Sequence, residues 1–93
     1  MTRKNNKFPN DLFKFPCQFP IKLFTNTSHA VIHFILNVLE NNVRDSKNIK
    51  FVTSQSKTGK YLSITCTFEA ETRKQLDDIY NILSSHQDIH MVL

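Results

Sequence analysis

The stretch "YLSITCTFEA" at 61–70 alternates without a break: Leu62, Ile64, Cys66, Phe68 and Ala70 fall on one side, and Tyr61, Ser63, Thr65, Thr67 and Glu69 on the other. A two-residue period held this long specifies a strand with one apolar face and one polar face. Such a strand needs neighbours along its edges and a cover over its apolar side. The rest of the chain has to provide both.

It does so in a definite order. "CQFPIKLFT" at 17–25 sets Phe19, Ile21 and Leu23 against Gln18, Pro20 and Lys22, which is a first strand. Thr25 to Ser28 supply side-chain acceptors for a helix start, and in "HAVIHFILNVLENN" the residues Val31, Phe34, Ile35, Val38 and Leu39 recur at helical spacing. "NIKFVTSQ" at 48–55 places Ile49, Phe51 and Thr53 opposite Lys50, Val52 and Ser54, a second strand. After the 61–70 strand, "TRKQLDDIYNILSSH" opens with Thr72 and Gln75 at capping-box spacing, carries Leu76, Ile79, Tyr80 and Leu83 on one stripe, and should end near His86. "DIHMVL" then alternates Ile89, Met91 and Leu93 with His90 and Val92, a last strand.

The order β-α-β-β-α-β predicts an α+β, ferredoxin-like fold: a four-stranded antiparallel sheet with both helices on one face. In that plan strands one and three are central, so Ile64, Cys66 and Phe68 should be among the deepest residues. The helices are expected to cover each apolar strand face. A length of 93 residues fits one domain. We place it at 12–93, behind a flexible basic tail at 1–11. The first ten residues hold Arg3, Lys4 and Lys7 and no acid, so the formal charge of +4 shrinks to near balance over the remainder. The longest apolar stretch, 30–39, is interrupted by His33 and Asn37 and is too short to cross a bilayer. With no export signal and only Cys17 and Cys66 as thiols, a reduced, cytoplasmic protein is expected.

"FPCQFPIKL" at 15–23, "GKYLSITCTFEA" at 59–70, "QLDDIY" at 75–80 and "HMVL" at 90–93 resemble, in this order, blocks of the small bacterial YbeD-like proteins, the DUF493 or UPF0250 family. The resemblance runs from about residue 12 to residue 93. It implies a ferredoxin-like fold similar to the regulatory ACT domains, which bind small metabolites beside their host enzymes. It implies no activity and brings no catalytic residues.

The spacing of the chemistry-bearing residues argues against several familiar sites. Gly59-Lys60 is not a P-loop, because Ser54 stands where the earlier glycine should be, Tyr61 stands where Ser or Thr should be, and strands flank both sides. A hairpin turn with positive φ accounts for the glycine. His29 and His33 share a helix face with Glu40 near it, but they lack the converging third and fourth ligands of a zinc site and fall opposite the apolar stripe. Cys66 points to the core, and Cys17 has no activating histidine. Asp77 and Asp78 point about 100° apart on their helix and do not form an acid-base pair.

The polar side of strand three carries the functional expectation. Lys60, Tyr61, Ser63, Thr65 and Thr67 are the candidate ligand- or partner-binding residues, because no helix is available to cover them. The expected protein is a non-enzymatic, ACT-like regulatory or interaction domain without a cofactor. Its partner would be another copy of the chain or an enzyme, with a small-molecule effector as a further ligand. The alternative is weak RNA or DNA binding through Lys50, Lys57, Lys60 and the basic arm, within a cluster of cations around strands two and three, Arg44, Lys47, Lys50, Lys57 and Lys60. Nucleic acid is the less favoured partner, since strand three offers one ring, Tyr61, followed by three hydroxyls, where RNA-binding sheets present several rings.

Overall fold

The computed structural model describes residues 14–93; the tail expected over 1–11 lies outside the described residues. Strand β1 spans Cys17–Asn26, helix α1 His29–Asn42, β2 Lys50–Gln55, β3 Tyr61–Ala70, helix α2 Arg73–Ser84 and β4 Ile89–Val92. The strands form one antiparallel sheet in the order β2-β3-β1-β4, with β1 and β3 at its centre. This is the expected α+β, βαββαβ plan.

The core lies between one sheet face and the helices. Ile21 and Leu23 of β1, Ile64 and Phe68 of β3, Ile35 of α1 and Leu76 of α2 are almost completely buried. Burying one large apolar side chain stabilises by about 1.5–3 kcal/mol, so this layer accounts for most of the folding drive. α1 begins where the Ser28 hydroxyl accepts from the Ala30 and Val31 amides. α2 begins at Thr72, whose hydroxyl accepts from the Gln75 amide at 3.0 Å. Gln75 completes the cap one residue further out than the usual box. Its Oε1 accepts from the Glu71 amide (2.6 Å), and its Nε2 donates to the Asn42 carbonyl at the end of α1 (2.7 Å). One side chain therefore joins the start of α2 to the end of α1. α2 stops at Ser84, slightly before the expected His86.

Two expectations about strand faces are corrected. The first concerns β2, where Ile49, Phe51 and Thr53 were expected beneath the helices. All of Lys50–Gln55 is exposed, and only Ile49, just before the strand, is half-buried. Residues 46–48 form a single 3₁₀ turn, so β2 starts at Lys50, two residues later than expected. The strand pairs on one side only, with β3, and stands at the sheet margin beyond the buried core.

The second concerns β4, where strict alternation put Ile89, Met91 and Leu93 together. The β1 ladder shifts between Phe24 and Thr25: Thr25 pairs with Ile89, Phe24 with Met91 and Leu23 with Val92. His90 is the extra residue of a bulge. Ile89 and Val92 therefore face the core side with Thr25 and Leu23, while Met91 turns outward with Phe24.

The hairpin between β2 and β3 is as the single glycine suggests. Gly59 has φ 77°, its amide donates to the Ser56 carbonyl (3.0 Å), and the Ser56 amide donates to the Tyr61 carbonyl (2.9 Å). Thr27 then fastens the loop to the end of β1, its hydroxyl donating to the Gly59 carbonyl at 2.7 Å.

Candidate functional site on the outer sheet face

The side of the sheet turned away from the helices collects the alternate residues of all four strands. Strand register arranges them in rows: Lys50–Thr67–Pro20, Val52–Thr65–Lys22, Ser54–Ser63–Phe24–Met91, and Tyr61–Asn26. Leu93 extends the second row, because its amide and carbonyl both bond to Lys22 (2.8 and 3.1 Å). Tyr61, Ser63, Thr65 and Thr67 all lie on this face as expected, with Tyr61 half exposed and the three hydroxyl residues half-buried. Lys60 does not share their row. It is exposed in the hairpin loop, and its carbonyl accepts from the Thr27 amide at 3.0 Å.

The face is less uniformly hydroxylated than strand three alone indicates. Val52, Tyr61, Met91 and Leu93, four of the six exposed large apolar residues among those described, stand on it. Half-buried Phe24 stands among them, with the Lys22 ammonium 5.5 Å from its ring centroid. Phe24 was legible as the next outward position after Lys22 in β1, whereas Met91 was hidden by the bulge. His90 meets the face at its edge: its ring lies 5.9 Å from that of Tyr61 at 75°, and its Nε2 is 2.8 Å from Asn26 Oδ1. The Asn26 amide group donates to Asp88 Oδ1 (3.1 Å), which leaves Oδ1 as acceptor and puts a proton on His90 Nε2.

The other chemistry-bearing residues are placed elsewhere. His29, His33 and Glu40 are exposed along α1. Among the described residues no three His, Cys, Asp or Glu side chains converge to hold a metal ion. Cys66 is buried, and burial pushes its thiol up to about 12; Cys17 is half-buried. Asp77 and Asp78 each meet a cation one turn back, Arg73 at 3.7 Å and Lys74 at 2.8 Å. These are pairs one helical turn apart, the Lys74–Asp78 pair exposed and of small energetic weight. A cleft of about 300 Å³ opens between the end of α1 and the start of α2, beside Arg44, Glu71 and Gln75. Gln75 spends its donor and its acceptor on the backbone there, and Arg44 pairs with Glu71 at 3.6 Å, so the polar groups of the cleft serve the helix junction.

A family model described as "Protein of unknown function (DUF493)" matches residues 10–93. The chain belongs to the DUF493 family. It is similar to the UPF0250 protein of Nitrosomonas europaea, 33% identical over 82 residues that cover 88% of this chain and 94% of the relative. It is also similar to a UPF0250 protein of Neisseria meningitidis serogroup A, 31% identical over the whole of both chains. Among solved structures, protein HP0495 from H. pylori superposes with a TM-score of 0.68 at 16% identity, covering 100% of this chain and 96% of that one. The C-terminal domain of the MgtC protein from Mycobacterium tuberculosis superposes at 0.63 with 11% identity over 84% of each chain. At such identities the structural likeness speaks for the fold alone. The DUF493 chain has no helix among its described residues that is long and apolar enough to cross a membrane.

Proposed function

We propose that this DUF493 chain is a non-enzymatic, ACT-like regulatory or interaction domain that works by presenting its outer sheet face to another molecule. One observation carries the reading: Val52, Tyr61, Met91 and Leu93 gather, with Phe24, on the sheet face that no helix covers among the described residues. Apolar surface gathered on one side and edged by polar groups marks contact sites, whereas scattered exposed residues do not. The thiol of β3, Cys66, points the other way and is held protonated by burial.

The test compares the apparent size of the tagged chain in fresh extract with that of the Phe24→Ser, Tyr61→Ser, Met91→Ser triple variant. Wild type should run as part of a larger assembly, and the variant should run as the isolated chain. A wild-type chain that runs alone, or an assembly indifferent to the three substitutions, would overturn the proposal.

A further inference from the structure

Three rings meet at one end of the outer face, and two of them come from strands other than β3. Phe24 of β1 pairs with Ser63, and Asn26 pairs with Tyr61, so Phe24 and Tyr61 are diagonal neighbours across the two central strands. His90, brought there by the bulge, stands edge-on to Tyr61 and is tethered to Asn26. The rings are thus positioned by paired backbone and a hydrogen bond before any ligand arrives.

One cation adjoins the rings on this face, and others stand farther along it or in the hairpin loop. Lys22 lies over Phe24, Lys50 stands beside Thr67, and Lys57 and Lys60 are exposed in the loop that leads into Tyr61. Glu69, opposite Gln18, is the one acid at the outward positions of the four strands, and it sits at the far end from the rings. Between rings and lysines run the hydroxyls of Ser63, Thr65 and Thr67.

We propose that the outer face binds single-stranded nucleic acid, with bases stacked on Tyr61 and Phe24 and phosphates held by Lys22 and Lys50. The proposal rests on the reading of this face as the binding surface and names its occupant. Rings take the flat faces of bases, which a duplex keeps hidden in its own stack, so the face selects single strands. Hydroxyls and lysines beside the rings suit sugar and phosphate oxygens. An apolar protein surface laid over the same area would bury Lys22 without a counter-charge, which is costly. The single ring visible in β3 made a poor platform; Phe24 and His90 complete it.

The test measures fluorescence anisotropy of labelled oligo-U and oligo-dT of about ten nucleotides against the purified full chain, with a duplex of equal length alongside. Saturable binding is expected for the single strands, weaker binding for the duplex, and a steep fall between about 50 and 200 mM salt. Tyr61→Leu and Phe24→Leu, which keep apolar bulk, should each weaken binding by about tenfold. Lys22→Ala should lower the slope of log affinity against log salt by about 0.7, the loss of one phosphate contact to a single strand. In wild type, ring protons of Tyr61 and Phe24 and the Met91 methyl should shift on titration while Ile35 and Ile79 in the core do not, a readout that needs no variant. No binding at low salt, equal affinity for the duplex, or affinities untouched by the ring substitutions would overturn the proposal. An assembly in extract that survives nuclease, yet depends on Phe24, Tyr61 and Met91, would make the occupant a protein: it would overturn the nucleic-acid assignment and leave the proposed function standing.

Discussion

Phe19 and Phe68 lie directly opposite one another across the β1–β3 ladder, and both are buried, Phe68 completely. They join the two central strands on the helix side of the sheet. Phe68→Ala should remove about 3–5 kcal/mol, the transfer loss plus the cavity left behind. Against a total stability of about 5–15 kcal/mol this is a large share. Thermal unfolding should show Tm lowered by more than about 10 °C. An unchanged Tm would contradict the central place of β3.

Gly59 tests the hairpin separately from packing. A Cβ there would meet nothing within 4 Å, so Gly59→Ala costs only the strain of φ 77°. The penalty should be about 1–2 kcal/mol in urea unfolding. Gly59→Asn should cost less, because asparagine tolerates the left-handed region. Equal midpoints for Gly59→Ala and wild type would exclude the left-handed turn.

Gln75 joins the helices by two hydrogen bonds, one at each end of its amide. Gln75→Ala should destabilise by about 1–2 kcal/mol, the sum of two ordinary bonds of which part is regained from water. Gln75→Glu keeps the acceptor for the Glu71 amide but sets a carboxylate against the Asn42 carbonyl, so it should not restore stability. Full recovery in Gln75→Glu would show that only the cap matters.

The two thiols should behave differently toward a disulfide reagent. Cys17, half-buried, should react in the folded protein, and Cys66 only as fast as the chain opens. The Cys66 thiol ionises near 9 when unfolded and near 12 when folded. Above pH 9 the unfolded chain gives up a proton that the folded chain keeps. The stabilisation is thus complete below about pH 9 and is lost as pH rises toward 12. Tyr80, also raised to about 12 by burial, acts in the same direction at somewhat higher pH. Urea midpoints should therefore decline between pH 8 and about 10.5 more steeply for wild type than for Cys66→Ala. Parallel declines would place the loss elsewhere.

The sequence disclosed the central strands and both helices because each is an amphipathic element whose period survives in the fold. Tyr61–Ala70 alternates through ten residues, and the stripes Val31–Leu39 and Leu76–Leu83 become the buried sides of α1 and α2. The margins were less legible. Phe51 alternates like a core residue, yet it stands 37% exposed, since period alone does not report where the helices end. Met91 and Leu93 share parity with buried Ile89, and only the ladder shift at Phe24 and Thr25 sends them outward. The candidate site was accordingly half visible. Tyr61, Ser63, Thr65 and Thr67 followed from one strand and Lys22 and Phe24 from the alternation of another, while their adjacency, and His90 beside them, required the strand pairing.

The bulge at His90 has a bearing on how such a surface can be acquired. Without that residue, Ile89, Met91 and Val92 would alternate cleanly against Thr25, Phe24 and Leu23, in the same orientations they hold now. His90 is thus a supernumerary side chain, inserted into a strand whose packing does not require it. A chain of this fold could gain or lose the third ring by a single-codon insertion or deletion and leave its interior untouched.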